Sequence, residues 1–199
     1  MTMLYARQRL LLNLLDTLQG NCAGTDFQKY LFLFTQEFEA QPSYDFVPYR
    51  FGCFSFTSYA DKRKLIELGM FEQDDERWIL TAASRQAIDA SPVAPITLAA
   101  FHDRYGKLRG KPLIREIYTR YPYYAINSEI AGEVLTEKTE HEAVLAARPE
   151  TDKPGLLTIG YESKSLENYL NQLITAGVTL LCDVRRNPLS RKYGFRKAR

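Results

Sequence analysis

The residues best suited to chemistry lie together near the C-terminal end. Asp183 is followed by Arg185, Arg186, Arg191 and Lys192, with Ser190 among them. A carboxylate beside guanidinium groups builds a polar site. Asp183 either orients Arg185 or takes a proton, while Arg185 and Arg191 hold a phosphate or carboxylate through paired N–H donors. Arg186, Lys192 and Ser190 extend the same anion-binding surface. The blander alternative is that Asp183 caps the loop and pairs with an arginine. Cys182 would be a nucleophile if Arg185 and Arg186 lowered its pKa. Strand alternation puts it on the face opposite Asp183, however, and it reads as a buried structural cysteine. Elsewhere there is no P-loop, no GxGxxG, no paired CxxC and no HExxH, and His102 and His141 have no nearby cysteine. Neither a metal nor a cofactor is expected.

These residues need a scaffold, and the surrounding sequence supplies one. Leu156-Leu157-Thr158-Ile159 is a short apolar run closed by Gly160, as in a buried strand. Ser165 suits a helix N-cap. Leu166, Tyr169, Leu170, Leu173 and Ile174 then share one helical face, and Gly177 suits a left-handed helix end. Val178-Thr179-Leu180-Leu181-Cys182 forms a second strand that ends at Asp183. Two strands joined by a helix lie parallel with a right-handed crossover. Gly160, Tyr161 and Ser163 from the first tip then share an edge with Asp183, Arg185 and Arg186 from the second. Ligands of open α/β sheets bind at that edge, so Gly160, Tyr161 and Ser163 join the candidate site, with Tyr161 beside Asp183 as the catalytic candidates. A parallel pair needs further strands. They come from earlier in the chain, from a partner or second copy, or from a longer protein of which this is a piece; the last is the expectation.

Composition sets wider bounds. The 199 residues, 45% hydrophobic and 25% charged, suit one large or two small globular domains. No apolar run is long enough to span a membrane, and the amphipathic N-terminus reads as a helix, not as a signal peptide. The three cysteines, Cys22, Cys53 and Cys182, are scattered as free thiols are in a reducing cytoplasm. Net charge is +2, but seven cations and no acid fall between 185 and 199, which leaves −5 for the rest. Such asymmetry points to an anionic partner.

The N-terminal part reads as helix over 4–19, helix over 26–38 capped by Thr25, and an aromatic loop over 44–52. A third helix follows, capped by Ser55 and ending near Gly69. Met70–Glu72 and Arg77–Thr81 then make a hairpin turning at Asp74-Asp75, followed by a helix near 82–89. Three helices and a hairpin make a winged helix-turn-helix pattern. Lys62, Arg63 and Lys64 on the third helix are its candidate phosphate contacts. Against DNA binding, residues 1–90 hold nine Lys/Arg and twelve Asp/Glu, and the wing tip is acidic. From 96 to 135 the chain reads as helical. There Arg104, Lys107, Arg109, Lys111, Arg115 and Arg120 interleave with tyrosines that either stack on bases or fill the core. Residues 136–153 read as a polar linker or frayed helix.

Two resemblances follow from particular motifs. Asp26–Leu33, Val47–Ser55 and Leu65–Met70 are similar to winged-helix modules of antitoxin-like and phage-defence-associated proteins, across residues 5–90. Thr158-Ile159-Gly160-Tyr161-Glu162-Ser163, Ser165-Leu166-Glu167, Asp183-Val184-Arg185-Arg186-Asn187-Pro188 and Ser190-Arg191-Lys192-Tyr193-Gly194-Phe195 resemble the opening of domain-of-unknown-function family 488, across 155–199. Tyr161 stands where that family usually has histidine, and its later Cys-His-Arg-type segment has no counterpart here. The resemblance implies a Rossmann-like α/β domain with a polar site at the strand ends.

The combined expectation is a mixed α/β chain. A winged helix spans 1–92, a helical connector 93–153, and the first βαβ unit of a truncated Rossmann-like domain 154–199. Its expected role is cytoplasmic engagement of DNA, RNA or a nucleotide in a regulatory or defence system. The alternatives are a protein-interaction module without catalysis and an enzyme acting on a small phosphorylated substrate.

Overall fold

The computed structural model describes residues 4–90, 92–150, 155–186, 190 and 192–195. The fold is mixed α/β, mostly helical, with small antiparallel sheets. Helix α1 (Ala6–Thr17) is built on a leucine-rich run, and Leu10, Leu11, Leu12, Leu14 and Leu15 are all buried. It packs against α2 (Gly24–Glu37), α4 (Ala82–Ala90) and α5 (Pro95–Tyr105). Between α1 and α2, strand β1 (Asn21–Ala23) pairs antiparallel with β4 (Arg77–Ile79), setting Cys22 opposite Trp78. Gly24 starts α2 where the chains approach closely: its N–H donates to the Glu76 carbonyl, and a Cβ would lie 2.9 Å from that oxygen. No larger residue fits there without displacing backbone.

Strands β2 (Val47–Tyr49) and β3 (Gly52–Phe54) form a tight hairpin from the segment expected to be a loop. Gly52 has φ +93°, and a Cβ there would stand 2.6 Å from the Tyr118 ring. Helix α3 (Phe56–Glu67) follows, with Ser55 accepting the Ser58 N–H as the expected N-cap. The hairpin expected after α3 is present in reduced form. Phe71 bridges Leu80, and the Glu72 N–H donates to the Ile79 carbonyl at 3.0 Å.

Helix α6 (Gly110–Arg120) and the 3-10 turn Pro122–Ala125 pack on α2 and on β2–β3. Tyr105 and Tyr118 are buried and fill the core, while Tyr121, Tyr123 and Tyr124 are half-buried against it. After the short α7 (Ala131–Val134), the segment read as a polar linker or frayed helix contains a formed helix, α8 (Lys138–Ala146). A Glu137/Glu140 capping box starts it, and Arg115 pairs with Glu140 at 2.8 Å to hold it on α6. Helix α9 (Leu166–Thr175) forms as expected, capped by Ser165 and closed at Gly177 with φ +63°.

The parallel strand pair is not observed. Neither 156–159 nor 178–182 carries a ladder, and among the described residues the two ladders are both antiparallel. Leu156 is 95% and Leu180 78% exposed, so burial supplies no driving force to order these segments as core strands. Cys182, expected to be buried, is exposed for the same reason.

Candidate anion-binding surface

The turn after 156–159 and the loop after 178–182 do meet. The Arg185 guanidinium lies 5.1 Å from the centre of the Tyr161 ring. Its Nε and Nη2 donate to the two Asp183 carboxylate oxygens at 2.8 and 2.6 Å, and its own backbone N–H donates to the same carboxylate at 3.1 Å. The hydrogen-bonded carboxylate raises the Arg185 pKa further above its ordinary value. Asp183 and Arg185 are therefore paired within the loop, so the two donors expected to grip a ligand point at this carboxylate. The pairing fits the reading in which Asp183 orients Arg185 and equally the one in which it caps the loop and pairs with an arginine.

Around this pair the tail folds back. The Lys192 Nζ donates to the Tyr161 carbonyl at 3.0 Å, and the Lys192 N–H donates to the Ser190 hydroxyl at 3.1 Å. Phe195 stacks on Tyr161 with centroids 4.9 Å apart and meets Tyr169 edge-on at 5.1 Å. Lys164 donates to the Gly160 carbonyl at 3.0 Å, and Ser163 adopts φ +59° in the exposed turn. Arg186 is exposed. Arg191 lies outside the described residues. Contacts thus link Tyr161, Asp183, Arg185, Ser190 and Lys192, and Gly160 and Ser163 adjoin Tyr161 in its turn.

The other nominated group divides. Lys62 was expected to face phosphate, but it is only 3% exposed. Its ammonium donates to the Asp74 and Arg77 carbonyls at 2.7 Å each and sits 5.2 Å from the Trp78 ring centre. Lys62 pins the turn before β4 and is not a ligand contact. Asp74 accepts the Glu76 and Arg77 N–H groups at 2.8 and 2.7 Å, so part of the acidity of that tip serves to make the turn. Arg63 is exposed, and its Nη2 donates to the Tyr193 hydroxyl at 3.1 Å. That contact places Arg63 beside the basic tail, while Lys64 pairs with Glu67 at 2.9 Å on the same helix.

Glu167, read in sequence only as part of the Ser165-Leu166-Glu167 motif, has a partner that the motif did not indicate. Glu167 is fully buried at the start of α3. Its carboxylate accepts the Thr57 N–H at 2.7 Å, the Thr57 hydroxyl at 2.9 Å and the Ser55 hydroxyl at 3.1 Å. Beside it, the Ser165 hydroxyl donates to Asp45 at 2.6 Å, and the Asn171 amide donates to the Phe46 carbonyl at 2.7 Å. The Tyr123 hydroxyl donates to Asn171 at 2.9 Å. A cleft of about 230 Å³ runs along this seam, lined by Gln36, Asp45, Tyr124, Asn168 and Gln172 among others. In sequence, Glu167 is an ordinary first-turn acid and gives no sign of its partner.

No protein-family model matches the chain, and comparison with the curated proteins finds no match. No helix among the described residues is long and apolar enough to cross a membrane.

Proposed function

We propose that the protein engages nucleic acid as a regulatory, defence-associated factor, through a surface shared by α3 and the basic tail. The observation that carries this reading is the Arg63–Tyr193 contact, which joins two cationic groups more than a hundred residues apart. Arg63, Lys64, Arg186 and Lys192 then supply the phosphate contacts that dominate nucleic-acid affinity. The order α1, β1, α2, α3 and then the Phe71–Leu80 hairpin, returning β4 onto β1, supports a winged helix carrying the β2–β3 hairpin as an insertion. The Tyr161–Arg185 contact supports residues 154–199 as the opening of a Rossmann-like unit, with both predicted strand tips on one rim.

The test is an anisotropy titration of a short DNA duplex and a single-stranded RNA against salt. Arg63→Glu combined with Lys192→Glu should weaken binding at least about tenfold and flatten the log K against log salt slope by about 1 per cation removed. Unchanged affinity would refute the proposal. A protein-interaction module is the second reading, favoured by the exposure of Leu156 and Val184. Tight, salt-insensitive binding to a protein with no nucleic-acid affinity would select it.

A further inference from the structure

We propose that the tip of the β2–β3 hairpin and the start of α3 form a stacking platform for unpaired bases, which directs the protein to single-stranded nucleic acid. The proposal deepens the nucleic-acid reading above and rests on it. Tyr49 and Phe51 stand on either side of Arg50 at the hairpin turn and are 41% and 45% exposed. The Tyr49 ring continues into a set of half-buried rings, with Phe54 at 5.2 Å and Phe56 at 5.5 Å, and Tyr59 lies 5.1 Å from Phe54. The inner end of this set is closed by the core, where Tyr59 meets the buried Trp78 ring at 5.4 Å. The outer end meets solvent.

Charge selects the occupant. The Arg50 Nε donates to Glu129 at 2.7 Å, and both side chains are exposed, so the pair contributes little and a phosphate can replace Glu129. Phe56 and the exposed Arg63 are seven positions apart in α3, so they share a face at a separation of about 10 Å along the axis. Rings interleaved with arginines suit a strand whose bases stack and whose phosphates are held alongside. A duplex keeps its bases stacked on one another and leaves such rings unused. The platform is also held before any ligand arrives. The Glu129 N–H donates to the Arg50 carbonyl at 2.8 Å, and the Asn127 amide donates to the Pro48 carbonyl at 3.2 Å. Tyr118 packs behind Gly52, so the hairpin loses little freedom when its rings are covered.

The experiment uses the full chain and anisotropy titrations of a single-stranded DNA, its duplex, and the same single strand carrying abasic sites. The wild type should prefer the intact single strand. Tyr49→Ala combined with Phe51→Ala should weaken single-strand binding at least about fivefold and leave duplex binding unchanged. Abasic sites should reproduce that loss in the wild type and add nothing in the variant. Tyr49→Leu with Phe51→Leu keeps the apolar bulk without the ring faces, and it should lose single-strand affinity as the alanine pair does. A leucine pair that binds single strands as the wild type does overturns the platform, as does an equal loss on both probes. A wild type that binds duplex and single strand alike also overturns it, and the nucleic-acid reading then stands alone. If the wild type binds no probe, the nucleic-acid reading fails and the platform with it.

Discussion

Replacing Lys62 by methionine separates folding from binding at α3. The Lys62 ammonium is buried, makes two 2.7 Å bonds to carbonyls, and faces the Trp78 and Tyr59 rings at 5.2 and 5.7 Å. Hydrogen bonds from a charged donor contribute about 1.5–3 kcal/mol each, and a cation–π contact about 0.5–1 kcal/mol. Methionine keeps the packed stem and avoids burying a charge, which offsets part of that loss. The net expectation is a destabilisation of about 3 kcal/mol, or a fall in Tm of about 6–12 °C for a chain of this size. Burial holds the Lys62 pKa below its ordinary value, with Asp74 and Asp75 opposing. The unfolded chain therefore binds more protons just below pH 10.5, and the wild type should gain stability over Lys62→Met as pH rises through that interval. Thermal and urea unfolding followed by circular dichroism measure both effects, and nucleic-acid affinity well below Tm should be unchanged. A stability change under about 0.5 kcal/mol would refute the assignment, as would weakened binding at unchanged Tm.

Two further outcomes are expected. Burial pushes the Glu37 carboxyl up, but hydrogen bonds from Tyr105, Arg120 and Tyr121 outweigh it and hold the pKa below 4.5. The charged form therefore stabilises the fold above pH 4.5, and that contribution is lost as pH falls through the native value. Glu37→Gln should cost about 2–3 kcal/mol at neutral pH, with the gap to wild type narrowing in urea titrations as pH falls below 4.5; a pH-independent gap would count against it. Cys182 is exposed, while burial pushes Cys22 up to about 12 and Cys53 to about 11. Ellman's reagent at about pH 8 should modify one thiol quickly and the other two only after unfolding; two fast thiols would contradict the burial of Cys22 or Cys53.

Local features were legible where the determinants are local. Ser55 and Ser165 each cap a helix whose apolar spacing follows at once, and both helices form. The strands were harder because their partners are distant. Three residues around Cys22 say little until Trp78, more than fifty positions away, supplies the other half of the pair. The β2–β3 hairpin looked like an aromatic loop because its strands are three residues long and one contains Pro48. Helix α8 buries only Val144 and depends on Arg115 from another element, so periodicity could not find it. Lys62 misled for a related reason. Within Lys62-Arg63-Lys64 all three look like surface cations, and only the carbonyls at 74 and 77 reveal that the first is structural. The rim residues were found by type and spacing, and the pairing of Asp183 with Arg185 was among the readings that spacing allowed.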